Sequence, residues 1–212
     1  MPSQSFQSFL KQLEAVDQLI AIHGKMQAGK GRRHQQEALH KAGVVMTVAA
    51  WQAYIEKIVP EALSVIEADL ADPAAVPPAP NWARHSFSLR RAAIEIQLKK
   101  FNTPNVANVR DLLDGSFGFK PWPYWVWHKG PRQWDEKKTR KRTEDWVTVR
   151  HTIAHGYALP NDLNFLQGDN GDVRLTLGLL KECLKHFKHV ALKTDNALRD
   201  FLVNSYRIVA PW

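Results

Sequence analysis

Wherever apolar side chains cluster in this chain they recur at spacings of three and four, and nowhere do they alternate long enough for a half-buried strand. That periodicity is the mark of amphipathic helices and leaves little room for a sheet. Phe6, Phe9, Leu10, Leu13, Val16, Leu19 and Ile20 set the first pattern. A second runs through Leu39, Ala42, Val45, Met46, Ala49, Ala50, Ala53, Tyr54 and Ile58, apolar on most sides. It predicts a central helix over residues 35–59 that buries Val45, Ala49 and Tyr54. Pro60 is expected to kink that helix or to start a new one through Leu63, Ile66 and Leu70. Residues 81–101 read as a helix with Arg84, Arg90, Arg91, Lys99 and Lys100 on its outer face, and 105–113 as a short one. Residues 135–155 are helical, striped by Trp146, Val149 and Ile153, with Gly156 placed to end the helix at C′. Residues 157–171 read as a loop, and 173–208 are helical again, as one helix or two. No heptads persist and no internal repeat occurs, so the expected fold is an all-α bundle of about five to seven helices.

A chain of 212 residues can be built round one core, because single cores extend to about 250 residues. One domain over 1–212 is therefore expected. Inside it lie a proline-rich connection at 73–80 and an irregular, tryptophan-rich loop at 115–134. With 44% hydrophobic and 24% charged residues the composition is that of a folded protein. The single cysteine, Cys183, allows no intrachain disulfide and no thiol-based zinc site, which suits a reducing compartment. The N-terminus has no basic region followed by a long apolar run, and the longest apolar stretch, 43–51, is far below the ~20 residues that span a bilayer. A cytoplasmic protein without a membrane partner is expected.

The formal net charge is +8 and the isoelectric point about 9.6, a balance that gathers phosphate-bearing partners. The charge is clustered. Lys25, Lys30, Arg32 and Arg33 lie among glycines, and residues 129–142 hold Lys129, Arg132, Lys137, Lys138, Arg140, Lys141 and Arg142 against only Asp135 and Glu136. Such charge points to nucleic acid as a partner or serves plain solubility, and composition alone does not choose between them.

There is no glycine-rich phosphate loop, no His-Glu-x-x-His and no Gly-x-Ser-x-Gly. His186 and His189 beside Cys183 invite a metal reading, but among Lys181, Lys185 and Lys188 they are better read as a solvated face. No cofactor and no metal are expected. What remains is Arg150-His151-Thr152-Ile153-Ala154-His155-Gly156, an arginine, four residues and a histidine. The spacing alone is weak, as a looser pair, Arg33 and His40, demonstrates. Its setting strengthens it: the segment closes a helix and follows the basic run.

This segment, with the preceding Trp146-Val147-Thr148-Val149, resembles the signature helix of HEPN domains, where an arginine, four to six residues and a histidine form the active-site motif. The RiboL-PSP-HEPN branch is most similar, with residues 42–56 standing for its earlier helix; Gln52 occupies a position that is often acidic there. The resemblance implies a HEPN-like bundle that dimerises and cleaves RNA without metal. Arg150 and His155 would be catalytic, and His151, Lys138 and Arg142 would support phosphate binding. It also implies a role in phage defence or as a toxin, with an antitoxin or regulatory protein as a further partner.

The chemistry fits these residue types. A histidine with a pKa near ~6.5 can take the proton of a ribose 2′-hydroxyl, and an arginine can stabilise the charge gathering on the phosphate. Residues five apart on a helix point about 140° away from each other, so Arg150 and His155 do not share a face, whereas His151 and His155 do. A two-fold homodimer with a composite site would bring the two together. The alternatives are a catalytically silent HEPN module that binds RNA or a nucleotide, and a helical protein-interaction module.

Overall fold

The computed structural model describes residues 1–25, 36–72, 79–130, 132–168, 170–209 and 211–212. Six α-helices account for most of it: α1 (Gln4–Lys25), α2 (Glu37–Ala71), α3 (Asn81–Leu98), α4 (Val106–Phe117), α5 (Glu136–Ala154) and α6 (Leu177–Tyr206). The fold is an all-α bundle. Between α4 and α5 the chain makes a 3₁₀ turn, Trp122–Tyr124, and a hairpin of two three-residue strands, β1 (Trp127–Lys129) and β2 (Arg132–Trp134). Trp127 pairs with Trp134 across it.

α2 is the axis of the bundle, packed by α1, α6, α5 and α3. Its buried face is set by Val44, Val48, Trp51, Tyr54, Ile55, Ile58 and Val59. The expected burial of Tyr54 holds, but Ala49 is exposed and Val45 only half-buried. A helix apolar on most sides does not reveal its phase, and the largest side chains, Trp51 and Tyr54, decide it by taking the core. Pro60 neither starts a new helix nor ends α2, which continues to Ala71. A mid-helix proline costs roughly 3 kcal/mol. Here Val59, Ala62 and Leu63, all buried, anchor the chain on both sides of it and offset that cost.

α1 lays Phe6, Phe9, Leu13 and Val16 on α2 and α6. Its first N–H groups are satisfied from other helices. Gln4 and Ser5 donate to the Glu61 carboxylate at 2.8 Å, and Ser3 donates to Asp195 at 3.2 Å. α4 reaches past its expected end to Phe117, capped by the Asn105 side chain and ended by Gly118 at φ 77°. α6 is one helix of 30 residues.

The tryptophans of the loop enter the interior. Trp125 is fully buried and donates to Thr194 Oγ1 at 2.9 Å, and Trp127 is 2% exposed. The segment expected to be an irregular loop is a clamp between α5 and α6.

Candidate active site at the end of α5

Asp135 caps α5 by accepting from the Lys138 backbone at 2.8 Å, and the helix ends in a full reverse cap. His155 is the C-cap residue, and Gly156 adopts the left-handed φ of 71°. Gly156 N–H donates to Ile153 at 3.2 Å and Tyr157 N–H to Thr152 at 2.8 Å, the paired bonds of a Schellman turn. The expected C′ role of Gly156 is met.

This turn fixes three rings. The His151 and His155 centroids are 4.3 Å apart, so these residues share a face as their spacing predicts. Tyr157 folds back beside them, its ring stacked toward His155 at 5.9 Å with planes 22° apart, and 6.5 Å from His151. All three side chains are exposed. No sequence pattern selects Tyr157: it reaches the histidines only because the left-handed glycine reverses the chain.

Arg150 is half-buried, unlike His155. Its Nε is buried with no hydrogen-bond partner among the described residues. Single donors of Arg132, Arg140 and Arg142 share that condition.

The basic run divides by how its members are held. Lys137 and Lys138 are exposed, and Lys141 is exposed beside Asp145. Arg140 lies over the Trp122 ring at 4.2 Å and pairs with Glu136 at 3.2 Å. Arg142 lies over Phe165 at 4.0 Å, 5.5 Å from the Trp134 ring, with Nη1 3.5 Å from Glu182 but not aligned for a hydrogen bond. Arg132 sits between Trp127 and Trp134, at 4.5 and 4.2 Å, and 3.7 Å from the same Glu182. Glu182 is therefore shared by two half-buried arginines, a role its place in a lysine-rich helix had hidden.

His186 and His189 are not a solvated face, contrary to expectation. His186 is fully buried and shares a 2.9 Å hydrogen bond between Nε2 and Thr143 Oγ1. His189 stacks on Trp127 at 4.0 Å, and its Nε2 is 2.9 Å from the Val126 carbonyl. Burial holds the His186 imidazole well below its usual range, and Arg142 and Arg132 lower it further. Burial pushes the Cys183 thiol up, so it is no nucleophile. Among the described residues no group of three His, Cys, Asp or Glu side chains could hold a metal ion.

Of the looser pair, Arg33 lies outside the described residues, as do Lys30 and Arg32, and so does the proline-rich stretch 73–78. His40 is buried with Nδ1 2.9 Å from the Leu175 carbonyl. Gln52 is tied to Glu56 and the Phe101 carbonyl. A groove of about 910 Å³ runs between α1, α2 and the chain ends, and none of its lining residues belongs to the motif. No helix is long and apolar enough to cross a membrane among the described residues.

The family model described as RiboL-PSP-HEPN matches residues 10–200, which includes the whole motif. No curated protein and no solved structure matches the chain.

Proposed function

The chain belongs to the RiboL-PSP-HEPN family, and we propose that it is a metal-independent endoribonuclease whose site is Arg150 and His155. The observation that carries this reading is the contrast between the two residues. The imidazole of His155 is exposed at the helix end, while the Arg150 guanidinium has a buried Nε still lacking an acceptor.

In this mechanism His155 accepts the proton of a ribose 2′-hydroxyl, and the oxygen attacks the adjacent phosphorus. The bond to the 5′-oxygen of the next nucleotide breaks. The products are a 2′,3′-cyclic phosphate and a 5′-hydroxyl, the leaving oxygen taking a proton from an imidazolium or water. Arg150 stabilises the non-bridging oxygens as charge gathers there. His151, 4.3 Å from His155, is a phosphate contact or orients the base. Lys138 and Arg142 support phosphate binding, although at Arg142 a phosphate would compete with Glu182.

Residues five apart on a helix are set about 140° from each other, and His151, His155 and Tyr157 are exposed at the motif end. We place the complete site in a homodimer, each chain supplying part of it across a two-fold axis. A defence or toxin-like role, with an antitoxin or regulatory protein to restrain it, fits an enzyme that cuts RNA in its own cell.

The test is an RNA with a single 2′-deoxy nucleotide at a mapped cut. Removing the nucleophile should abolish cleavage there and leave binding intact. Cleavage that persists at the deoxy position excludes this chemistry.

A further inference from the structure

α3 buries only Ile94 fully, with Phe87, Arg91 and Leu98 partly covered on the same side. It packs mainly on α2 and α4. Its opposite face carries Trp82, His85, Leu89, Ala92 and Ile96, spaced three, four, three and four, which is the repeat of a coiled-coil seam. All five are exposed, and Trp82, Leu89 and Ile96 are 73%, 61% and 57% exposed. Of the basic residues expected on the outer face, Arg84, Arg90, Lys99 and Lys100 are exposed and Arg91 is half-buried, but none stands in this seam. Arg84 reaches back to the Leu70 carbonyl, Arg90 to that of Gly115, and Arg91 to Glu67 and Glu95.

We propose that this face is a self-association surface, on which a second copy of the chain seats its own α3 antiparallel about a two-fold axis at Leu89. Two observations select a second copy over other occupants. The first is symmetry. Trp82 and Ile96 lie seven residues on either side of Leu89, so reversing the helix sets each Trp82 against the partner's Ile96 and Leu89 against the partner's Leu89. An isologous interface needs that self-complementarity. The small residues Ala92 and Ala93 then oppose His85 and Ser86 and let the helices approach closely.

The second is charge. Each copy carries +8, so a shared surface must be poor in cations. The seam holds none that is always charged, and the positions beside it are Asn81, Ser86, Ser88, Ala93 and Glu95. In the reversed pairing Asn81 faces the partner's Gln97 and Glu95 the partner's Ala83, and no like charges are opposed. The same lack of cations disfavours nucleic acid and anionic membrane. A helix of 18 residues is about 27 Å long, so one such seam makes an interface at the low end of the usual size range.

The test uses the full chain in sedimentation velocity. Leu89→Glu should halve the mass of the wild-type assembly at matched concentration, with an unchanged melting temperature because Leu89 packs against nothing inside. Leu89→Cys should form a reducible covalent dimer under mild oxidation, while Lys11→Cys on the exposed side of α1 should not. A wild-type chain that stays monomeric at every concentration overturns the proposal. So does an assembly that Leu89→Glu leaves intact while Leu89→Cys fails to cross-link. A monomer whose Trp82 instead binds phosphatidylserine vesicles overturns it in favour of a membrane. A chain that stays monomeric would also remove the homodimeric active site proposed above, whereas an assembly that survives Leu89→Glu without Leu89→Cys cross-linking overturns the α3 contact alone.

Discussion

His151 and His155 face each other one turn apart at the end of α5, their ring centroids separated by 4.3 Å. Only His155 also has the Tyr157 ring stacked beside it at 22° between planes. The pair should therefore respond unequally. His155→Ala is expected to lower cleavage about 10²–10⁴-fold, the usual worth of positioned proton transfer. His151→Ala should cost less and act chiefly on KM. Equal losses in kcat would assign proton transfer to both.

Arg150→Ala should remove about 3–4 kcal/mol of transition-state stabilisation, measured as kcat/KM. Arg150→Lys should restore little, because an ammonium lacks the guanidinium's two-pronged contact. Full rescue by lysine would reduce Arg150 to a point charge.

Gly156 holds φ 71°, a conformation that costs other residues roughly 1–2 kcal/mol. Gly156→Ala should lower stability by about that much and displace Tyr157 from His155. Cleavage should fall by more than the loss of folded protein explains. A variant as active as the parent would mean that the turn does not position the base.

The cap and the histidine face were legible in the sequence because they depend on residues a few positions apart. Gly156 at C′ and the four-residue step from His151 to His155 are local facts. What could not be read depends on distant partners. The phase of α2 follows from which side chains reach the core, and the direction of Arg84 and Arg91 from acceptors in α2. The hairpin escaped because three residues are too few to display alternation, and its tryptophans matter through arginines on β2 and α5. Glu182 had no signal at all until Arg132 and Arg142 met there.

The buried His186 makes stability depend on pH. Its folded pKa is depressed, whereas the unfolded chain takes up a proton near ~6.5. Stability should be complete above that value and decline as pH falls below it toward the folded pKa, since the unfolded state then binds more protons. Urea unfolding at pH 8 and pH 5.5 measures this, and His186→Gln should flatten the difference. A chain more stable at pH 5.5, with the trend erased by His186→Gln, would reverse the sign and contradict a neutral buried imidazole.

The exposed lysines and the clamped arginines should separate under mutation. Neutralising Lys137, Lys138 and Lys141 should weaken RNA binding without sequence preference and flatten its dependence on salt. Trp127→Ala, by contrast, should cost about 3–5 kcal/mol of stability, because it empties a buried site and frees Arg132. Unchanged salt dependence in the triple variant would make those lysines a plain solvated face.

The most direct measurement is cleavage of a mixed RNA pool by the purified chain in the presence of chelator, with the Arg150→Ala/His155→Ala double variant alongside. The account predicts fragments ending in 2′,3′-cyclic phosphate and 5′-hydroxyl from the parent, and no fragments from a double variant of matching melting temperature. Robust cleavage by that folded double variant would contradict it.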